Sequence, residues 1–336
     1  MRIDAELGAT LWELSRKHTL LQPPTWEYVY TETDYQYMAR DEVRNRAYRQ
    51  AIQQTVKDKT VIEIGPGSML VLTLLCVEAG AKKIYAIEID EEAYQQAQKL
   101  VQAKELTDKI ELLHGSSLNI DVPEKGDVCI SEVIGCIGGI EGAAVLLHNA
   151  HRFLKPSGVM LPSRCLTWLS PVVKPEFYQD AFINQAHSLL TEEAYKVAGK
   201  RFPFPYYSIT NFPDSNLIAP PQLFEDLDFN DPNLTTDFAR NLTFEIQHDA
   251  SFDGLLLWIE LYVDATTILN AWSCETGWAT AYLPVEPFAL KPNDKMQIAA
   301  QSKLTSHSFR PDYLFDISVW RQSQLVYRYK KDIVWS

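Results

Sequence analysis

The sequence predicts an α/β domain built on a parallel, doubly wound sheet, followed by an antiparallel β domain. First, five short apolar runs alternate with helical patterns in the first half of the chain, without hairpin signals. Second, a turn at Gly65-Pro66-Gly67 joins the first run to a helix. Third, the pattern near Pro162 changes to alternating apolar and polar residues. The 336 residues, 46% of them hydrophobic, suffice for two domains with their own cores.

The stretch from Val61 to Asp90 forms the centre of the predicted parallel sheet. A strand leads into the glycine turn, and Met69 to Ala79 then has the length and composition of a helix that ends at Gly80. A second strand, Lys83 to Ile87, leads into the acids Glu88 and Asp90. This order is typical of the first βαβ unit of a nucleotide-binding sheet. Glycines let the backbone approach a ligand, and the acid can accept hydrogen bonds from ribose hydroxyls.

The glycine turn excludes two kinds of nucleotide site. A dinucleotide site has a third glycine three residues after Gly67, where this chain has Leu70. A P-loop is excluded because no Gly-Lys-Ser/Thr follows. What remains is Glu63-x-Gly65-x-Gly67, the form typical of methyltransferases that use S-adenosyl-L-methionine (SAM). Taken alone, the turn leaves another nucleotide or a purely structural role open.

The remaining segments complete the predicted organisation. Further helices are predicted over residues 91–106 and 142–154, and further strands over 109–113, 127–131 and 158–161. Antiparallel strands are predicted from Cys165 onward, as in a barrel or sandwich. They are interrupted by a helical arm at about residues 174–200, which we interpret as a packing or dimerisation element.

The N-terminal residues precede the first strand and have helical patterns at 5–18 and 41–53. A helix in this position can fold over a bound nucleotide as a lid. The predicted domains are a lid segment (1–55), a nucleotide-binding domain (56–162) and a β domain (163–336).

Composition limits the compartment and the partners. The net charge of −13 disfavours a nucleic-acid binder and suits a soluble protein, whose partner could be cationic. The five cysteines lie apart without a CxxC motif, so we expect reduced thiols in a cytoplasmic protein. We expect no membrane association, because no signal peptide is evident and the longest apolar run, Met69 to Val77, is too short to span a bilayer.

Two glutamates follow the predicted fourth strand. Glu132 lies at the carboxyl end of that strand, where open α/β sheets carry catalytic groups. Glu141 lies nine residues later, across a glycine-rich loop that can double back. Two such carboxylates can hold a planar guanidinium with one nitrogen in line with a methyl donor. The alternatives are that Glu132 is a sheet-end residue and Glu141 an acid at the start of the next helix.

The chain resembles the protein arginine methyltransferases from about Tyr28 to Trp335. The segments that carry the resemblance are Met38 with Asp41–Arg44, VIEIGPG at the glycine turn, AGAKKIYAIE ending at Glu88, the pair Glu132 and Glu141, LKPSGVMLPSR from Leu154, and ETGWATAYLPVEPFALKPND in the β domain. The resemblance implies a SAM-binding Rossmann-like domain, a β-barrel with a helical dimerisation arm, SAM as cofactor and a homodimer.

The resemblance also implies roles for single residues. Arg44 would pair with the methionyl carboxylate of SAM, and Met38 would pack at the site. The other cofactor residues so assigned are Glu63, Gly65 and Gly67 at the turn, Glu88 at the ribose, and Ser117 and Leu118 along the adenine. Glu132 and Glu141 would hold the guanidinium, and the aromatic residues assigned to the substrate are Tyr30, Tyr37 and Trp278.

Three positions depart from the family pattern. Gly277 stands in the barrel motif where the family has the histidine of Thr-His-Trp. Isoleucine, cysteine and glycine replace bulky aromatic residues between the two glutamates, and the third glycine of the turn is missing. These departures predict a differently shaped and roomier pocket.

Three functions are therefore compared. The first is SAM-dependent methyl transfer to a guanidino nitrogen of an arginine-containing peptide, a small molecule or a protein. The second is methylation of an oxygen, carbon or amine of a secondary metabolite, with a glutamate as general base. The third is a catalytically silent scaffold for dimerisation or partner binding. No metal site is expected, because His148 and His151 lack a third ligand at a suitable spacing.

Overall fold

The computed structural model describes residues 32–175, 206–274, 276–305 and 308–334. Three predicted features lie outside these residues: the helix at 5–18, Tyr30, and nearly all of the helical arm.

Five parallel strands form the first sheet in the order β3-β2-β1-β4-β5. The strands are β1 (Thr60–Ile64), β2 (Lys83–Glu88), β3 (Ile110–His114), β4 (Gly126–Ser131) and β5 (Leu154–Leu161). All residues of β1 are buried, as expected for a central strand of a parallel sheet. The chain order reverses between β1 and β4, which pair in parallel. Their carboxyl ends therefore flank the crevice where open α/β sheets bind ligands.

Five α-helices accompany this sheet in the described part of the chain. They are α1 (Glu32–Arg40), α2 (Glu42–Thr55), α3 (Val71–Glu78), α4 (Glu91–Ala103) and α5 (Ala143–Ala150). Helix α2 begins at Asp41, whose carboxylate accepts a hydrogen bond from the backbone N–H of Arg44. Tyr48 of α2 is fully buried, and its hydroxyl donates to the carbonyl of Ser131 at 3.1 Å. This bond joins α2 to the end of β4.

The second half of the chain forms two antiparallel sheets. The first has the order β7-β12-β10-β6-β8 with β11 beside β10, and the second has the order β15-β14-β13-β9. The strands are β6 (Arg164–Val172), β7 (Tyr207–Ile209), β8 (Gln222–Asp228), β9 (Phe238–Glu245), β10 (Ala250–Tyr262), β11 (Ile268–Asn270), β12 (Thr280–Leu290), β13 (Lys295–Leu304), β14 (Pro311–Arg321) and β15 (Gln324–Ile333). Side chains from both sheets share one core, with Leu255 and Leu283 from the first, and Ile298 and Phe315 from the second.

The predicted fold class is confirmed, with a Rossmann-like parallel sheet followed by antiparallel sheets. The parallel strands end at Leu161 and the antiparallel ones begin at Arg164. A second core extends across this point, because Leu227 and Ile259 of the antiparallel sheets pack with the residues of β1 and β4. The domain boundary at residue 162 stays a prediction.

Several elements differ from the predicted ones. Strand β5 begins at Leu154, four residues before the predicted start. Helix α5 ends at Ala150 and continues as a 3-10 turn, His151–Phe153. Strand β8 was not predicted at all. No described helix combines the length and the apolar content that crossing a bilayer takes.

Candidate active site

The glycine turn follows β1 at the edge of the crevice. Gly65 and Gly67 have φ angles of +70° and +66°, in the left-handed region that favours glycine. A Cβ atom at Gly67 would lie 2.4 Å from Cε1 of Tyr35 in α1. Glycine is therefore needed at position 67 both for the backbone conformation and for the close approach of the tyrosine ring. This packing places α1 against the turn, and its role as a lid stays a prediction.

Glu88 lies beside the turn at the end of β2. Its carboxylate accepts hydrogen bonds from the backbone N–H groups of Gly67 and Asp90, each at 2.9 Å. Burial raises the pKa of this carboxyl, and the backbone donors oppose that shift. Each oxygen keeps a further lone pair that can accept a hydroxyl of a ribose.

Glu63 of β1 lies inside the fold. It is 1% exposed, and one carboxylate oxygen accepts a hydrogen bond from the hydroxyl of Thr73 in α3 at 2.5 Å. Burial raises the pKa of Glu63 to about 7, and the Thr73 hydroxyl acts in the opposite direction. The structure therefore places Glu63 between β1 and α3, as a buried support for the turn.

Ser117 and Leu118 lie in the loop after β3. Ser117 is buried, and its carbonyl accepts a hydrogen bond from Nη2 of Arg152 at 2.9 Å. The Arg152 guanidinium also donates to the carbonyl of Ile120. Because one cation holds two carbonyls of this loop, the segment predicted to lie along an adenine has a fixed backbone.

Arg44 and Glu132 form an ion pair at the entrance to the crevice. Nη1 of Arg44 lies 2.6 Å from Oε2 of Glu132, and the two side chains are 7% and 13% exposed. Nη2 of the same guanidinium donates to the carbonyl of Met38 at 2.6 Å. Burial raises the pKa of Glu132 to about 7, the Arg44 charge lowers it, and the Glu141 charge raises it further. Arg44 and Glu132 thus lie at one point of the site, although they come from α2 and from the end of β4.

Both glutamates line one cavity of about 420 Å³, which we call the site cavity. Among the residues that line it are Tyr37, Met38, Asp41, Arg44, Glu132, Cys136, Glu141, Tyr206, Trp278 and Arg310. The segment from Glu132 to Glu141, here called the double-glutamate loop, turns back through two short hydrogen-bonded turns. Gly142 then starts α5 with a φ of +90°. The structure thus brings both glutamates to the lining of one cavity, and the convergence of their carboxylates on one point stays a prediction.

The barrel contributes one wall of the site cavity. Trp278 is 8% exposed, and its indole N–H donates to the carbonyl of Ile134 in the double-glutamate loop at 2.7 Å. The backbone N–H of Gly277 donates to Oδ2 of Asp41 at 2.6 Å. Position 277, where the family pattern has a histidine, therefore contributes a backbone hydrogen bond to Asp41 of the lid segment. Tyr37 is 63% exposed and lines the cavity mouth.

A second cavity of about 420 Å³ lies on the other side of this wall. It shares Tyr37, Asp41, Gly277, Trp278 and Ala279 with the site cavity. No side chain at position 277 separates the two spaces. That the pocket is roomier than the family's stays a prediction.

Asp41, Cys136, Tyr206 and Arg310 are among the lining residues that were not assigned from the sequence. Asp41 was quoted only as part of the family motif, although its place three residues before Arg44 is typical of a helix N-cap. Cys136, Tyr206 and Arg310 come from the double-glutamate loop, the segment before β7 and the segment before β14. Of the predicted residues, Met38, Tyr37, Arg44, Glu132, Glu141 and Trp278 meet at the site cavity. Tyr30 lies outside the described residues. Among the residues that the structure describes, no group of three His, Cys, Asp or Glu side chains could hold a metal ion.

Comparison with known proteins gives a consistent result. A family model described as PRMT5 arginine-N-methyltransferase matches residues 15–161. The chain is 30% identical over 239 residues to the probable protein arginine N-methyltransferase 6.2 of Oryza sativa subsp. indica, which covers 68% of this chain and 59% of the relative. It is 36% identical over 165 residues to the histone-arginine methyltransferase CARMER of Anopheles gambiae, or 48% of this chain and 26% of the relative. The chain thus spans less than two thirds of these relatives.

Solved structures show the same fold. Protein arginine methyltransferase 10 of Arabidopsis thaliana superimposes with a TM-score of 0.71 at 22% identity, over 90% of this chain and 97% of its own. The PRMT1 enzyme-prozyme heterotetrameric complex of Trypanosoma brucei with AdoHcy gives a TM-score of 0.71 at 18% identity, over 89% and 96%. At these identities the likeness establishes the fold.

Proposed function

Because this chain belongs to the protein arginine methyltransferase family, we propose that it transfers the methyl group of SAM to a guanidino nitrogen of an arginine side chain. The observation that carries the proposal is that Glu132 and Glu141 line the same cavity as Arg44. Two carboxylates suit a guanidinium, and one cation beside them suits the carboxylate of an amino-acid cofactor.

The residues around the glycine turn fit SAM. The turn has no side chain at Gly65 or Gly67, so a ligand would meet backbone at Gly65 and, at Gly67, the Tyr35 ring that packs against it. Glu88 keeps acceptor capacity for ribose hydroxyls, and Arg44 would hold the methionyl carboxylate. When bound, SAM supplies an electrophilic methyl group on a sulfonium sulfur.

Glu132 and Glu141 then bind and orient the substrate. A guanidinium held by two carboxylates has one nitrogen fixed in position, and such positioning contributes much of the rate of a transfer reaction. The negative charges of the two carboxylates also stabilise the positive charge of the substrate.

Glu132 can also hold a proton. A guanidinium that gains one methyl group in exchange for one hydrogen releases one proton. A carboxylate whose pKa is raised to about 7 can accept this proton near neutral pH and pass it to solvent. While Glu132 carries this proton it is neutral, so it holds the methylguanidinium product, which keeps its positive charge, less strongly, and this favours product release.

The substrate class that we propose is an arginine residue of a peptide or protein. Two of the similar relatives are named as a probable protein arginine N-methyltransferase and a histone-arginine methyltransferase. This similarity does not favour the alternative of an oxygen, carbon or amine acceptor in a secondary metabolite. The presence of both glutamates likewise does not favour a catalytically silent scaffold.

We further propose a homodimer that forms through residues of about 174–200, and a cytoplasmic location. Support for the location comes from the five cysteines, all of which are free thiols. Light scattering of the full chain and of a variant lacking residues 177–197 tests the dimer. We expect two chains per particle in the first and one in the second, and the same number in both contradicts the proposal.

The experiment that tests the activity uses SAM with a labelled methyl group and two peptides that differ only in arginine or lysine at one position. We expect label in the arginine peptide, with methylarginine after hydrolysis, and none in the lysine peptide. Label in both peptides, or in neither while calorimetry shows SAM binding, contradicts a guanidino acceptor.

A further inference from the structure

Glu225 lies in β8 of the barrel, yet it contacts the double-glutamate loop. It is 1% exposed. Oε2 accepts hydrogen bonds from the backbone N–H of Gly139 at 3.0 Å and from the hydroxyl of Thr167 at 2.9 Å. Oε1 accepts from the hydroxyl of Tyr313 at 2.9 Å. A carboxylate is thus buried between both barrel sheets and the loop that carries Glu141.

A second bond from the same place holds the preceding residue. The backbone N–H of Gly138 donates to Oγ1 of Thr167 at 3.0 Å. Thr167 and Tyr313 are both fully buried, and they belong to β6 and β14. Two consecutive backbone N–H groups of the loop therefore have their acceptors in the barrel rather than in the loop itself.

The glycines of the loop are matched in size to Glu225. A Cβ atom at Gly139 would lie 2.8 Å from Oε1 of Glu225 and 2.8 Å from the hydroxyl of Tyr313. A Cβ at Gly138 would lie 2.8 Å from Sγ of Cys165 and 3.1 Å from Oε2 of Glu225. Any larger residue at either position would displace the carboxylate. The small residues that distinguish this loop from the family pattern thus leave room for Glu225.

The hydrogen bonds of Gly139 also determine the start of α5. The carbonyl of Gly139 accepts from the backbone N–H of Gly142 at 2.8 Å, and Glu141 lies inside this turn. A displacement of Gly139 would therefore move the Glu141 backbone. Because a carboxylate is buried at a large cost unless donors surround it, the donors around Glu225 hold one geometry.

We propose that Glu225 is a positioning residue, which fixes the double-glutamate loop so that Glu141 faces the site cavity. It acts through Gly139 and does not contact the substrate. This proposal rests on the proposed function for its effect on catalysis, but not for its effect on the loop.

Cys136 provides a readout of the loop that does not depend on activity. It lies between the two glutamates and lines the site cavity. Burial raises the pKa of its thiol to about 11, so its reaction with iodoacetamide at pH 8 is expected to be slow. Release of the loop would expose the thiol, lower its pKa and raise the rate. Cys274, outside the loop in the second cavity, serves as an internal reference.

The test compares Glu225→Ala, Glu225→Gln and the neighbouring control Asp226→Asn, whose carboxylate pairs with Arg164. In Glu225→Ala we expect alkylation of Cys136 to rise at least about tenfold and kcat to fall at least about tenfold, with the Kd for SAM unchanged within about twofold. Glu225→Gln should stay within about threefold of the wild type, because its amide oxygen can accept from Gly139 and its NH2 can donate to Tyr313. Asp226→Asn should behave as wild type.

Two results would overturn the proposal. One is a folded Glu225→Ala protein with wild-type Cys136 alkylation and kcat. The other is Glu225→Gln as impaired as Glu225→Ala. If Glu225→Ala does not fold, Thr167→Val decides: it removes both the acceptor of Gly138 and one hydrogen-bond donor to Glu225, and unchanged Cys136 alkylation in that variant contradicts the proposal. A wild type without methyl transfer would contradict the proposed function, while the alkylation rates would still test Glu225.

Discussion

The guanidinium of Arg44 and the carboxylate of Glu132 lie 2.6 Å apart, although 88 residues separate them in the chain. The residue proposed for the cofactor carboxylate is thus paired with a residue proposed for the substrate guanidinium. The ion pair couples the lid segment to the end of β4. A change on either side should therefore affect both cofactor and substrate binding.

Loss of Arg44 should destabilise the fold as well as weaken SAM binding. Arg44→Ala leaves the buried Glu132 without its cation, and removing one partner of a buried pair costs about 3 kcal/mol. Arg49→Ala is a matched control on the same helix, because the Arg49–Glu78 pair is 47% and 58% exposed and such pairs contribute about 1 kcal/mol or less. Denaturant unfolding measures both. Equal losses in the two variants would contradict the role of the buried pair.

Methyl transfer should depend on pH through Glu132. Its raised pKa of about 7 means that the carboxylate is largely protonated at pH 6 and ionised at pH 8. Because only the ionised form holds a guanidinium and accepts its proton, the single-turnover rate should rise about tenfold from pH 6 to pH 8. In Glu132→Gln the remaining slow rate should lack this inflection. An unchanged inflection in that variant would assign it to another group.

The buried Glu63 should affect stability rather than the chemical step. Its pKa is about 7 in the folded protein and near 4.5 in the unfolded chain, so the folded state binds the proton more tightly. The resulting stabilisation is complete below pH 4.5 and is lost as the pH rises through 7, by about 3 kcal/mol at most. Glu63→Gln keeps an acceptor for Thr73 and should remove most of this pH dependence. The exposed Glu78→Gln variant should keep this pH dependence. Denaturant unfolding at pH 5 and pH 8 measures the free energy of unfolding of both variants, and an equal pH dependence in the two would contradict the role of Glu63.

Gly67 should tolerate no side chain. Gly67→Ala would force an alanine to a φ of +66° and place its Cβ 2.4 Å from the Tyr35 ring. Gly80→Ala is the control, since Gly80 has a φ of +83° but an ordinary contact distance of 3.7 Å to Lys57. We expect a loss of about 1 kcal/mol in Gly80→Ala and about 2–3 kcal/mol in Gly67→Ala. Adding Tyr35→Ala to Gly67→Ala should recover the stability that Gly67→Ala loses beyond the loss in Gly80→Ala. No such recovery would contradict the contact between Tyr35 and position 67.

The sequence predicted most of the elements because their signals are local. The strands of the parallel sheet are apolar runs, and the helices between them follow the helical period. Strand β8 was missed because its residues, QLFEDLD, include three acids, one of which is the buried Glu225. An acid inside a barrel core is stabilised only by donors from distant segments, and these leave no mark in the local pattern.

The same limit applies to the site. Glu132 could be predicted because catalytic groups lie at the ends of parallel strands, and Glu141 because a glycine-rich loop allows the chain to return. The hydrogen bond between Asp41 and the backbone of Gly277 could not be predicted, because it joins segments 236 residues apart. Its donor is a backbone N–H, which every residue except proline has. Likewise, no pattern in the sequence indicated that Arg310 lines the site cavity.

The most direct measurement compares methyl transfer to an arginine peptide by the wild type, Glu132→Gln, Glu141→Gln and the double variant, with SAM affinity from calorimetry. If both carboxylates hold one guanidinium, each single change should lower kcat at least about a hundredfold while Glu141→Gln keeps its SAM affinity. The double variant should then lose little more, because residues that act as a unit are not additive. Undiminished transfer by either single variant, with SAM still bound, would contradict the account.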